Sequence, residues 1–252
     1  MPTRYIGHGY WEIISRQMSV VTKSQQEKFK NAEITVIGTG GIGGATLEML
    51  ARQGVGKLNF VDKDVFDLSN LNRQVMSSLD ALGRDKTLVT KEQLRKINPY
   101  VETNSISQEV NEDNVEEIIK DSDILIDAVD NLITRVILTR AANKLKIPYI
   151  HGAIHGTAGQ ITTFTNDTPS YEELFKFPSI GKKLDDKVRK DIQKMTRGVP
   201  PVIGPVPNII GCLEAIEAFK LVTGIGKVTY APEILTFDLL DFKSFEVQNI
   251  YS

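Results

Sequence analysis

Residues Gly38-Thr39-Gly40-Gly41-Ile42-Gly43-Gly44 follow the β-branched run Glu33 to Ile37 and precede good helix formers from Ala45 to Gln53, which stop at Gly54. The spacing Gly38-x-Gly40-x-x-Gly43 between a strand and a helix lets backbone N–H groups approach a phosphate, and the helix N-terminus adds partial positive charge. A tight turn without a ligand is the plainer reading of the same residues. Lys57 to Val61 is a second apolar run closed by Asp62, where the dinucleotide fingerprint places an acid on the ribose hydroxyls. Taken alone, these features favour NAD.

The residues downstream favour ATP. Asp62-Lys63-Asp64 and Ser69-Asn70-Leu71-Asn72-Arg73-Gln74 put a cation and amides just past the ribose carboxylate, where hydride transfer needs no phosphate clamp. Lys86, at the start of the next helical stretch, adds a point charge suited to a polyphosphate. Asp130 lies beyond the apolar run Ile124 to Ala128, at the carboxyl edge where doubly wound sheets bind ligands, and a lone carboxylate together with phosphate oxygens can hold Mg²⁺. Each has a bland alternative: Arg73 could pair with Asp67, Lys86 could be a solvated first-turn lysine, and Asp130 could cap the helix containing Thr134.

These side chains need a frame. Helical patterns are expected at Tyr10 to Met18, Ser24 to Lys30, Arg84 to Ile97, Asp113 to Lys120, Thr134 to Leu145 and Pro207 to Thr223. Further strands are expected at Val101 to Ser107, Pro148 to Ala153 and Gln160 to Thr165. The alternation predicts an α/β fold, a Rossmann-like, mostly parallel sheet flanked by helices. Glu233 to Asp238 and Ser244 to Ile250 suggest a C-terminal antiparallel hairpin. One domain overall is expected: an N-terminal helical arm (1–30), a nucleotide-binding core (31–165), a lid or crossover loop without sheet period (166–206), and a C-terminal helix and hairpin (207–252).

Composition narrows the classes. The chain has 252 residues, 41% hydrophobic and 25% charged, with net charge −2, and so shows no global basic excess for nucleic acid. One local exception runs from Lys182 to Arg197, with seven basic and three acidic residues; it reads as a solvated helix face or as a guide for an acidic partner. Cys212 is the sole cysteine, so neither an intrachain disulfide nor a zinc site of paired cysteines is expected. His151 and His155 lack a third ligand and read as strand-end packing. Apolar runs fall short of the roughly 20 residues a membrane span needs, and a cytoplasmic protein is expected. Ile209, Cys212, Ile216 and Phe219 recur at helical spacing and predict a buried stripe holding the thiol in the core.

In order, Ser15-Arg16-Gln17, the glycine turn, Asp62-Lys63-Asp64, Asn70-Leu71-Asn72-Arg73-Gln74, Gly83-Arg84-Asp85-Lys86, Ile97-Asn98-Pro99, Asp127-Ala128-Val129-Asp130-Asn131 with Thr134-Arg135, and Gly211 to Gly224 resemble the ThiF/MoeB/ubiquitin-activating (E1-like) superfamily. The resemblance implies adenylation: a carboxylate, usually the C-terminal glycine of a ubiquitin-like or sulfur-carrier protein ending in Gly-Gly, attacks the α-phosphate of ATP. It implies nucleotide contacts from Gly38, Gly40, Gly41, Gly43 and Asp62, with Asp64 and Gln74 completing the set. Asn70, Arg73 and Lys86 would neutralise phosphates, Asp130 would bind Mg²⁺, and Arg16 would reach the nucleotide of a partner subunit in a homodimer. An ordinary surface arginine is the alternative for Arg16.

Two departures matter. The first cysteine pair of zinc-binding relatives falls on Ser170-Tyr171-Glu172-Glu173, so zinc of the family type is not expected. The neighbourhood of the thioester cysteine, Lys194-Met195-Thr196-Arg197-Gly198-Val199, holds none, which leaves adenylation without a thioester step at that position. Adenylation of a modified tRNA or peptide carboxylate, and a non-catalytic ATP-binding scaffold, stay open at this point.

Overall fold

The computed structural model describes residues 9–196, 198 and 201–251. In chain order the elements are α1 (Gly9–Ile13), α2 (Lys23–Asn31), β1 (Glu33–Ile37), α3 (Gly41–Gln53), β2 (Lys57–Asp62), α4 (Lys86–Ile97), β3 (Glu102–Ser107), α5 (Val115–Ile119) and β4 (Ile124–Asp127). They continue with α6 (Leu132–Leu145), β5 (Tyr149–His155), β6 (Ala158–Phe164), α7 (Tyr171–Leu174), α8 (Asp186–Gln193), α9 (Pro205–Thr223), β7 (Glu233–Asp238) and β8 (Asp241–Asn249). The strands form one eight-stranded sheet in the order β3-β2-β1-β4-β5-β6-β7-β8. Pairings from β3 through β5 are parallel, and those from β5 through β8 are antiparallel.

β1, β2 and β4 read as continuous apolar runs because helices cover both faces of the sheet. One core layer gathers Phe29, Ile34, Leu47, Leu50 and Phe60 with Val206, Ile210 and Ala218 of α9. The other gathers Leu125, Val136, Leu138 and Tyr149. α3, the helix opened by the glycine turn, packs directly on α9.

Three expectations change. The helix foreseen over Tyr10 to Met18 breaks into α1 and a 3₁₀ turn at Ser15–Gln17, because Gln17 turns inward to donate to the Gln53 carbonyl (3.0 Å) and to Gln26 (2.7 Å). Residues 166–206 carry α7 and α8, which bury Tyr171, Leu174, Val188 and Ile192 in the second core layer. Cys212 is exposed, and Ile216 is 39% exposed. Glu214 and Glu217 of α9 are buried as well, so residue polarity could not choose its inner face; contact with α3 and the sheet selects Val206, Ile210 and Ala218 instead. Partial burial and nearby Glu48 raise the pKa of the Cys212 thiol.

The charged stretch after Lys182 lies on the outer side of α8, whose Val188 and Ile192 face inward. Arg189 pairs with Glu112, and Lys194 pairs with Asp191; Arg197 lies outside the described residues. Among the described residues no helix is long and apolar enough to cross a membrane.

Candidate functional site

β1 and β4 are neighbours whose onward connections leave in opposite directions across the sheet, to β2 on one side and to β5 on the other. A crevice outside the carboxyl ends of two such strands is where open α/β sheets receive ligands. The glycine turn follows β1 at that edge, and Asp130 follows β4.

The two connections are in contact. Gly38 has φ +96°, and a Cβ there would sit 2.5 Å from the Ala128 carbonyl oxygen, so only glycine allows this backbone conformation against the end of β4. A Cβ at Gly43 would strike the Gly38 carbonyl and lie 3.0 Å from Ala128 Cβ. Gly40 is the N-cap of α3, with Gly41 the first helical residue, and the N–H groups that open α3 have no intrahelical acceptor. Asp62 ties this turn to β2: its Oδ2 accepts from the Thr39 amide (2.8 Å) and hydroxyl (3.1 Å), and Oδ1 accepts from the Asp64 amide (3.0 Å). A carboxylate has about four acceptor positions, which leaves capacity for a ribose hydroxyl.

Loop residues 64–83 fold back over the turn. Asp67 and Asn70 form a reciprocal cap on a 3₁₀ turn at Leu68–Asn70, in which Asn70 Oδ1 accepts from the Asp67 amide (3.0 Å), leaving its NH₂ end for another partner. Asp67 is therefore engaged as a cap. Arg73 instead donates to the Ser69 carbonyl and to Asn72 Oδ1, both at 2.8 Å, and among the described residues it has no carboxylate partner. Gln74 is buried over Gly40, its Nε2 lying 3.7 Å from where a Cβ would be, and its Oε1 is buried without a hydrogen bond. From behind, Asn208 of α9 donates to the Arg73 carbonyl (3.3 Å).

Lys86 is not the solvated lysine that its position suggested. Its side chain is only 8% exposed, and its single hydrogen bond goes to Asp64 Oδ2 at 3.2 Å, with that carboxylate 56% exposed. It is also the first residue of α4, the end of a helix least favourable to a cation. A buried ammonium there, with one of three donors used, has the character of a group kept for an anion. Asn131, and not Asp130, caps α6 by accepting the Thr134 amide (2.8 Å), so the exposed Asp130 carboxylate is spared that task. The Lys63 ammonium, whose pKa is raised mainly by Glu109, also feels Asp64 and Asp130.

A buried set of side chains stands behind this edge. Asp127, fully buried, ion-pairs with Arg135 (3.0 Å) and accepts from Tyr149 Oη and from His151 Nδ1, both at 2.8 Å. Burial opposes the Asp127 charge, but the Arg135 guanidinium and the His151 hydrogen bond outweigh it and hold the carboxyl below the usual range. Burial pushes the His151 pKa down, so the imidazole is neutral and donates through Nδ1. Sequence reasoning gave Asp127 and Arg135 no role; the signal was an acid ending an apolar strand eight residues before an arginine on the next helix.

Arg16 stands apart from the rest. Its neighbour Gln17 is bonded to Gln53, and Tyr10 Oη donates to the Gly54 carbonyl (2.6 Å), which places the segment at the C-terminal end of α3. With 13 residues in α3 and about 1.5 Å of rise per residue, that end is roughly 20 Å from the glycine turn.

No His, Cys, Asp or Glu side chains gather in a group of three or more able to hold a metal ion among the described residues. A lone exposed carboxylate such as Asp130 fits Mg²⁺, which keeps several waters and is held through one or two carboxylates plus phosphate oxygens.

The model of the ThiF family matches residues 14–251. The SAMP-activating enzyme E1 of Haloferax volcanii is 35% identical over 225 residues, covering 89% of this chain and 79% of that protein. The molybdopterin-synthase adenylyltransferase of Haemophilus influenzae is 35% identical over 204 residues, covering 80% of this chain and 79% of that protein. Among solved structures, E. coli MccB crystallised with ATP superposes with a TM-score of 0.79 over 94% of this chain and 70% of that one at 23% identity, a likeness of fold. A nucleotide-type turn at the sheet's switch point and the family match along nearly the whole chain lead to one conclusion: the chain belongs to the ThiF family and is an adenylyltransferase.

Proposed function

We propose that this enzyme uses ATP and Mg²⁺ to activate the C-terminal carboxylate of a ubiquitin-like or sulfur-carrier protein ending in Gly-Gly, forming an acyl-adenylate. The observation that carries the reading is Lys86, a buried and under-used ammonium held by Asp64, whose amide bonds the same Asp62 carboxylate that holds the Thr39 amide of the glycine turn. A carboxylate oxygen of the carrier bonds to the α-phosphorus while the bond from that phosphorus to the bridging oxygen breaks. Pyrophosphate leaves with the electron pair, and no protein nucleophile or proton donor is required. Such a displacement depends on in-line positioning and charge neutralisation. The N–H groups of the glycine turn, Asn70, Arg73 and Lys86 supply neutralisation, and Asp62 orients the ribose. Asp130 would hold Mg²⁺, which supplies further positive charge at the phosphate oxygens.

Arg16 enters this reading only from a second copy, since about 20 Å of α3 separates it from its own glycine turn. In a homodimer it would neutralise the partner's nucleotide. The test is ATP–pyrophosphate exchange with candidate carriers ending in Gly-Gly, with tRNA and short peptides as comparison substrates. Exchange should require a carrier and should fall by roughly 10²-fold or more in Arg73→Ala and Asp130→Ala. Exchange absent with every carrier, together with no ATP binding by calorimetry, refutes the reading.

A further inference from the structure

We propose that Asp127 and Arg135 are positioning residues that aim Asp130, a role resting on the reading of Asp130 as the Mg²⁺ carboxylate. The geometry converges on one residue, Val129, through the peptide units on either side of it. Asp127 Oδ1 accepts the Val129 amide (3.0 Å), and Arg135 Nη2 donates to the Val129 carbonyl (2.7 Å). Both polar backbone groups of the residue preceding Asp130 are therefore held by the two members of one ion pair. The following residue, Asn131, is fixed as the cap of α6. Asp130 thus hangs between two anchored neighbours, with little backbone freedom of its own.

The anchors are themselves rigid. Asp127 ends a central strand, and its second oxygen is hydrogen-bonded by Tyr149 and His151 and ion-paired with Arg135. Arg135 rises from the first turn of α6 and also reaches the Gly152 carbonyl at 3.3 Å, linking the β4 edge to β5. The Ala128 carbonyl and Cβ lie against Gly38 and Gly43. The clamp therefore sets the placement of Asp130 relative to the phosphate turn. Arginine suits the task because its delocalised charge lies 3.0 Å from Asp127 at Nε while Nη2 donates to the Val129 carbonyl, a separation of charge contact and donor that a compact ammonium does not reproduce.

The test compares Arg135→Lys with Tyr149→Phe. The second variant removes a hydrogen bond from the same Asp127 oxygen but leaves Val129 untouched, so a purely structural role predicts similar behaviour for both. The readout is Mn²⁺ affinity, by electron paramagnetic resonance, of the protein complexed with an ATP analogue carrying a methylene bridge between the α- and β-phosphates. Analogue affinity without metal and melting temperature are measured alongside. Arg135→Lys should weaken Mn²⁺ binding ~10–100-fold, toward the Asp130→Ala value, with metal-free analogue affinity unchanged. Tyr149→Phe should bind Mn²⁺ as the parent does. Equal Mn²⁺ affinities in parent and Arg135→Lys, or equal weakening in both variants, overturns the proposal. Asp127→Asn supplies the same comparison if Arg135→Lys does not fold. Parent Mn²⁺ affinity unaffected by Asp130→Ala removes the Asp130 reading itself, and the positioning role with it.

Discussion

Glu214 offers a quantitative test of how the α3–α9 packing behind the glycine turn is built. Its side chain is fully buried in α9; Oε2 accepts from Thr46 of α3 at 2.7 Å, and no cation pairs with the carboxyl among the described residues. Burial drives its pKa well above the ordinary value, and the Thr46 hydrogen bond only partly opposes this. The folded protein therefore keeps a proton at pH values where the unfolded chain has released it. With fewer protons bound in the unfolded state, stability falls as pH rises from about 4.5 toward the folded value, by about 1.4 kcal/mol per pH unit while the difference is complete. Glu214→Gln keeps the shape and an acceptor for Thr46 but does not titrate. For a domain of this size about 1 kcal/mol shifts the melting temperature by roughly 2–4 °C. The gap between variant and parent should therefore widen by roughly 3–6 °C per pH unit before levelling off. Thermal melts by circular dichroism between pH 5.0 and 7.5 read this directly. A gap that stays constant across that range refutes the assignment of a retained proton to Glu214.

Lys86→Met should leave the melting temperature within a few degrees of the parent, since the ion pair it removes is half open to water through Asp64, while exchange activity falls by roughly 10²–10³-fold; a collapse in melting temperature with ATP affinity retained would make the lysine structural. Arg16→Ala and Asp130→Ala proteins should each be inactive alone, and mixing them after subunit exchange should restore activity in sites that combine a native Asp130 with the partner's native Arg16. Unrestored activity in demonstrably mixed dimers counts against the arginine acting in trans.

Local chemistry makes some features legible before any contact is known. A glycine with positive φ, a strand ending in Asp62 and the ordered cations after it follow from backbone sterics and short-range spacing, which neighbours in the chain largely decide. The parallel centre of the sheet was legible too, because strands buried on both faces must be apolar throughout. Other features belong to contacts distant in sequence. Tyr10 to Met18 reads as one helix, but Gln26 and Gln53 draw Gln17 inward and split it. The inner face of α9 depends on α3 and the sheet, and with Glu214 and Glu217 buried while Cys212 and Ile216 are exposed, residue polarity along the helix gave no local sign that Cys212 would face water.

What the sequence alone determined was which groups are on offer: a glycine turn between strand and helix, Asp62 ending the next strand, Arg73 and Lys86 after it, and Asp130 beyond the fourth strand, in that order. The tertiary structure decided which of these meet. It buried Lys86 beside Asp64, held Val129 between Asp127 and Arg135, and carried Arg16 to the far end of α3. The reason is one of range. Residue type and spacing set what a group can do, whereas its burial, its partner and its distance from the site are set by chain segments tens of residues away that fold against it.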